Sequence, residues 1–180
     1  MGRIIYLIGM MGAGKTTVGR MLAERLGWDC VDMDRQIEKE QGKSIPAIFA
    51  ESGEEGFRRL ETELLGRLSA GECLLVSTGG GTPLREENRR IMASSGLVVY
   101  LRVSVEDVLR RTRGDRHRPM LAGTDRRKRV EELLEMRHPL YCAAADISFQ
   151  SSSGAPGVMA ARIAGHPKVR GMIARDGKEV

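Results

Sequence analysis

Five apolar runs, separated by segments of helical periodicity, set the layout of the chain. Residues 4–8 form the first run and end in Gly9. After a glycine-rich turn, Val18, Met21, Leu22 and Leu26 recur on one helical face, and Gly27 stops the pattern. Residues 28–34 read as a strand that turns polar at its end. If it persists, Asp32 and Asp34, two apart, point to the same side. Residues 35–41 suit a short helix stopped by Gly42, and Ser44-Ile45-Pro46 opens another turn with Ile48 and Phe49 as its apolar pair. Ser52-Gly53 is a break. A longer helix is predicted from Glu54 to about Ala70, with Phe57, Leu60, Leu64 and Leu68 as its buried stripe. There Glu61 lies three residues from Arg58, close enough to orient it.

The second half repeats the alternation. Residues 73–77 read as a buried strand, 85–94 as a helix and 97–103 as a strand. Ser104, with Asp107 three residues on, resembles a capped start for a helix carrying Val105, Val108 and Leu109. Asp125 is placed to cap a helix that carries Val130, Leu133 and Leu134 and ends near Tyr141. Residues 145–149 form the last predicted strand, and Pro156 opens a final helix to about Ala164. Strands alternating with helices indicate an α/β domain with a parallel sheet. The domain spans 1–164. Residues 165–180 lack a periodic stripe, repeat Gly, Lys and Arg, and are expected to form a flexible basic tail.

Composition changes this picture little. The chain has 180 residues and is 41% hydrophobic but only 4% aromatic, so its core is aliphatic. The net charge of +5 suits either nucleic acid or an anionic small molecule. Cys30, Cys73 and Cys142 are scattered and odd in number, which fits a reducing compartment and neither a disulfide framework nor a zinc site. The first apolar run is too short for a signal peptide or a membrane anchor. A cytoplasmic monomer is expected.

The candidate chemistry begins at Gly9. Gly9-Met10-Met11-Gly12-Ala13-Gly14-Lys15-Thr16 fits G-x-x-x-x-G-K-[ST] between a buried strand and a helix. Such a loop turns backbone N–H groups toward phosphates, and the helix start adds its positive dipole end. Lys15 supplies charge for the β- and γ-phosphates, and the Thr16 hydroxyl can ligate Mg²⁺. Gly12, Ala13, Gly14 and Thr17 complete the predicted ATP site. Parallel sheets bind ligands at the carboxyl ends of their strands, which brings Asp32 and Asp34 near this loop. Gly79, Gly80 and Gly81 follow a buried strand, as a backbone surface touched by ligand would. Five arginines fall within residues 110–118, with one acid among them. They suit a lid that closes on a triphosphate; no aromatics interleave with them as base stacking by nucleic acid would need.

These motifs together resemble shikimate kinase over about residues 3–164. The resemblance rests on the phosphate loop, Asp32-Met33-Asp34, and residues 53–61 with Phe57-Arg58. It continues through Thr78-Gly79-Gly80-Gly81, the lid signature Arg118-Pro119-Met120-Leu121, and Arg137-His138-Pro139-Leu140-Tyr141 with Ala145-Asp146 behind it. It implies a three-layer P-loop kinase fold: a parallel sheet of about five strands flanked by helices, with a lid and a small substrate-binding helical region. It implies transfer of the ATP γ-phosphate to the 3-hydroxyl of shikimate, a step toward chorismate and the aromatic amino acids, with Mg²⁺ as cofactor. By that resemblance Asp34 would bind the substrate hydroxyls and take the proton. Arg58 and Arg137 would hold the carboxylate, and Gly80 with Gly79 and Gly81 would present backbone N–H groups. Asp32 would hold Mg²⁺ beside Thr16, Arg118 would close on the phosphates, and Arg111 and Pro156 would flank adenine. Two alternatives are a gluconate-type or other small-molecule P-loop kinase, and an RNA-binding or nucleotide-gated module.

Overall fold

A computed structural model describes residues 3–113, 125–151 and 154–174. Five strands, β1 (Ile4–Ile8), β2 (Asp29–Asp32), β3 (Leu74–Ser77), β4 (Leu97–Arg102) and β5 (Ile147–Gln150), form one sheet in the order β2-β3-β1-β4-β5. Every pairing is parallel. β1 is the central strand, and all five of its residues are fully buried. That is why its sequence is a continuous apolar run rather than an alternating one. β2 lies at one edge, is half exposed, and is polar at both ends.

Among the described residues eight α-helices flank the sheet: α1 (Lys15–Leu26), α2 (Met33–Gln41), α3 (Ile45–Leu68), α4 (Glu86–Ser95), α5 (Val105–Arg111), α6 (Arg126–Ala144), α7 (Pro156–Ala164) and α8 (Pro167–Ile173). The buried face of α1 is Val18, Gly19, Leu22 and Ala23. Met21, expected on it, is exposed instead. The reason is Gly19: a Cβ there would lie 2.7 Å from the Leu75 side chain, so the helix rests on the sheet at its glycine. α3 is two helices joined at Gly53, whose φ of 68° and ψ of −177° interrupt it where the sequence places a break. In its second half Phe57 and Leu64 are buried as expected, but Glu61 and Leu65 are buried with them.

Two expectations are corrected. The second strand stops at Asp32, which accepts a hydrogen bond from the Arg35 amide and caps α2. Asp34 therefore stands in the first turn of a helix, not on the strand. The chain after residue 164 is also not simply a tail. His166 caps α8, Pro167 occupies its first turn, Val169 is fully buried, and Lys168 Nζ donates to the Asp146 carbonyl at 3.0 Å. A seven-residue helix anchored by one buried side chain leaves no stripe to read. The lid signature at residues 118–121, with Arg118, and the last six residues lie outside the described residues. Among the described residues no helix is long and apolar enough to cross a membrane.

Candidate functional site

Strands β1, β2 and β3 all end on the same side of the sheet, because they run parallel. A cavity of about 1270 Å³ opens there. It is continuous from the phosphate loop to the kinked α3 and the middle of α6, and its lining includes Lys15, Thr16, Asp32, Asp34, Arg58, Gly79, Gly80, Gly81 and Arg137. Residues far apart in the chain thus face one space.

The phosphate loop forms one wall. Gly14 caps α1 with a φ of 87°, a left-handed conformation that glycine takes without strain and that starts the helix directly behind the loop. Lys15 Nζ donates to the carbonyls of Gly9 and Met10, at 2.8 and 3.1 Å. Thr16 Oγ1 donates to Asp32 Oδ2 at 2.6 Å, so a hydroxyl and a carboxylate from the two predicted metal residues already touch. Hard oxygen donors on a polar cavity wall beside a phosphate-binding loop suit Mg²⁺, which keeps several waters and needs few protein ligands.

The opposite wall is built around Gly79. A Cβ on this residue would lie 2.5 Å from Glu61 Oε1, 2.9 Å from Asp34 Oδ1 and 3.2 Å from Thr82 Oγ1. Gly79 is therefore needed for space. Its missing side chain lets two carboxylates, one from α2 and one from α3, converge against the loop. Glu61 is 2% exposed and accepts a 2.6 Å hydrogen bond from Thr82 Oγ1. Burial, reinforced by the negative charge of Asp34, pushes its carboxyl up to about 7, although the Thr82 hydrogen bond and the charges of Arg58 and Arg137 oppose the rise.

Arg58 is half-buried and ion-paired to Glu54, one turn earlier in α3. The expected partner, Glu61, is instead turned inward to Thr82. The kink at Gly53 restarts the helix at Glu54 and makes it an i,i+4 neighbour of Arg58, in the favourable acid-first order. Arg137 is 5% exposed, and its buried Nε has no hydrogen-bond partner. A buried, incompletely satisfied guanidinium bordering an open cavity is a strong receptor for an anion. Tyr141, one turn later on α6, donates its hydroxyl to the Gly80 carbonyl at 2.6 Å and fixes the loop beside Arg137.

On the far side of the phosphate loop, Arg111 and Pro156 line a second cavity of about 310 Å³ with Gly14 and Thr17. Of the residues predicted from sequence, the structure brings Gly12, Gly14, Lys15, Thr16, Thr17, Asp32, Asp34, Arg58, Gly79, Gly80, Gly81, Arg111 and Arg137 to the main cavity. Ala13 and Pro156 line the second cavity only. Sequence reasoning missed the inward role of Glu61, and gave Thr82 and Tyr141 no role. The available signal for Glu61 was a charged residue inside an apolar stripe, four after Phe57 and four before Leu65.

A family model described as shikimate kinase matches residues 11–166. A shikimate kinase from Nitrosospira multiformis is 48% identical over 160 residues, which cover 89% of this chain and 82% of that one. Another from Methylococcus capsulatus is 49% identical over 144 residues, covering 80% of each. The solved structure of the Acinetobacter baumannii shikimate kinase in complex with shikimate superposes with a TM-score of 0.88 at 42% identity, covering 91% of each chain. A gluconokinase from Sinorhizobium meliloti covers 97% of this chain and 92% of its own at 16% identity, with a TM-score of 0.52, a likeness of fold alone.

Proposed function

The chain belongs to the shikimate kinase family, and from that premise we propose which of its residues carry the transfer of the ATP γ-phosphate to the 3-hydroxyl of shikimate. The observation that carries the assignment is the single cavity in which a phosphate loop faces Asp34 and two arginines, Arg58 and Arg137. An acceptor with a carboxylate and several hydroxyls matches that wall. A gluconate-type reading is not favoured, because the likeness to such kinases is one of fold.

The donor side is Gly12 to Thr17, with Lys15 holding the β- and γ-phosphates and Arg111 and Pro156 flanking the base. Arg118, which lies outside the described residues, is assigned to the phosphates as well. Thr16 and Asp32 would hold Mg²⁺, which shields the phosphate charge when bound. On the acceptor side, Arg58 and Arg137 grip the carboxylate. Gly80 and its glycine neighbours offer backbone N–H groups. Asp34 orients the attacking hydroxyl and accepts its proton. Phosphoryl transfer demands little covalent chemistry from a protein, so alignment of the hydroxyl and neutralisation of charge supply the rate. Glu61, held by Thr82, packs beside Asp34 against Gly79 and so buttresses the acceptor wall.

The unpaired thiols of Cys30, Cys73 and Cys142 support a reducing, cytoplasmic setting. Lys15, Arg58, Arg111 and Arg137 line the main cavity, which supports a small-molecule kinase without a nucleic-acid partner, and we take the protein to be a monomer. The test is ADP release with shikimate, gluconate and nucleoside monophosphates as alternative acceptors. Turnover with shikimate alone is expected, and turnover with only another acceptor would reject the assignment.

A further inference from the structure

Ser151 stands one residue past β5, is 5% exposed, and is hydrogen-bonded on every side. Its amide donates to the Arg102 carbonyl at the end of β4, at 2.7 Å. Its hydroxyl donates to the Ala13 carbonyl at 2.8 Å and accepts from Arg111 Nη1 at 3.1 Å. Its own carbonyl lies 3.5 Å from Arg111 Nη2, and Arg111 Nη1 also donates to the Gly12 carbonyl at 2.9 Å. One small side chain therefore ties the last strand to the end of α5 and to the phosphate loop at Ala13, while Arg111 itself holds the loop at Gly12.

The direction of these bonds matters. A guanidinium donates in its own plane, and its faces are what stack on flat rings. Hydrogen bonds to Gly12, the Ser151 hydroxyl and the Ser151 carbonyl fix that plane at the border of the cavity shared with Pro156. Without the hydroxyl, Arg111 keeps the Gly12 carbonyl and the long 3.5 Å approach to the Ser151 carbonyl, a looser hold on its plane.

We propose that Ser151 is a positioning residue for the nucleotide, acting through Arg111: its hydroxyl locks the guanidinium plane and ties it to the phosphate loop, so that base and phosphates are received in one register. This rests on the reading of Arg111 and Pro156 as the residues that flank the base. Ser151 touches no reacting atom, and its effect falls on ATP rather than on the acceptor.

The experiment is steady-state kinetics of the full chain with ATP varied at saturating shikimate, and the converse, for Ser151→Ala, Ser151→Thr, Arg111→Ala and the Ser151→Ala/Arg111→Ala double variant. Loss of positioning worth one ordinary net hydrogen bond predicts a KM for ATP about 3- to 10-fold higher in Ser151→Ala, with kcat and the shikimate KM within about twofold of the parent. Ser151→Thr, which keeps the hydroxyl, restores the ATP KM, and the double variant is no worse than Arg111→Ala alone. If Ser151→Ala fails to fold, Ser151→Cys carries the same expectation, since it keeps the volume and weakens both hydrogen bonds. A normal ATP KM in Ser151→Ala alongside a raised one in Arg111→Ala overturns the proposal and leaves the nucleotide site standing. A normal ATP KM in Arg111→Ala overturns the nucleotide reading itself.

Discussion

Replacing Glu61 by Gln should stabilise the protein above neutral pH while harming its activity. Glu61 is 2% exposed, and its carboxyl is raised from 4.5 to about 7 by burial and by Asp34. A carboxyl whose folded-state value is raised favours the folded state fully at low pH, below its unfolded value. That contribution is lost as pH climbs through the window from 4.5 to about 7. At 1.36 kcal/mol per unit the shift amounts to roughly 3 kcal/mol at pH 8, and to under about 1 kcal/mol at pH 5. Gln keeps an oxygen to accept from Thr82 and carries no charge. The advantage of Glu61→Gln should therefore grow by about 2 kcal/mol between pH 5 and pH 8. For a domain of this size that corresponds to a gain of roughly 4–8 °C in melting temperature. The assay is thermal unfolding of parent and variant at both pH values, followed by circular dichroism. Taking the difference between the proteins cancels the titrating groups that do not face Glu61. A variant that melts below the parent at pH 8, or whose advantage is the same at both pH values, would refute the argument.

Three further outcomes follow from the same wall. Arg58→Ala should raise the shikimate KM by about tenfold or more, through loss of a charge-assisted contact, and leave the ATP KM nearly unchanged; a shift confined to ATP would contradict its role. Asp34→Asn should lower kcat by at least about 100-fold while ATP binding, measured by titration calorimetry, persists; near-normal turnover would remove Asp34 as orienter and base. Gly79→Ala places a methyl 2.5 Å from Glu61 Oε1 and 2.9 Å from Asp34 Oδ1. Overpacking of about 1–3 kcal/mol should then appear as a lower kcat/KM for the acceptor and a lower melting temperature, and parent-like values of both would show that the wall yields freely.

The phosphate loop was legible because its information is local: spacing, a preceding apolar run and a following helix. The order of strands and helices was legible for the same reason, since β1, β3 and β4, buried on both faces, read as apolar runs. Arg58 and Arg137 were assigned through the resemblance to a family; on periodicity alone each is an ordinary helix residue. What escaped depends on contacts between distant segments. Glu61 turns inward because Thr82, 21 residues later, offers a hydroxyl and Gly79 offers space. Arg58 pairs with Glu54 because of a kink at Gly53, and i,i+3 spacing to Glu61 could not reveal it. Asp34 sits on a helix because Asp32 ends the strand by capping it. The Arg118 assignment lies outside the described residues and stands as a proposal.

The central claim is that Arg58 and Arg137 together read the carboxylate of the acceptor. It is tested most directly by comparing shikimate with its methyl ester as acceptors for the parent enzyme and for Arg137→Ala. Esterification is expected to cost the parent about tenfold or more in kcat/KM, and to cost Arg137→Ala, with one receptor already gone, much less. An ester used as well as the acid by the parent, or an equal penalty in both proteins, would contradict it.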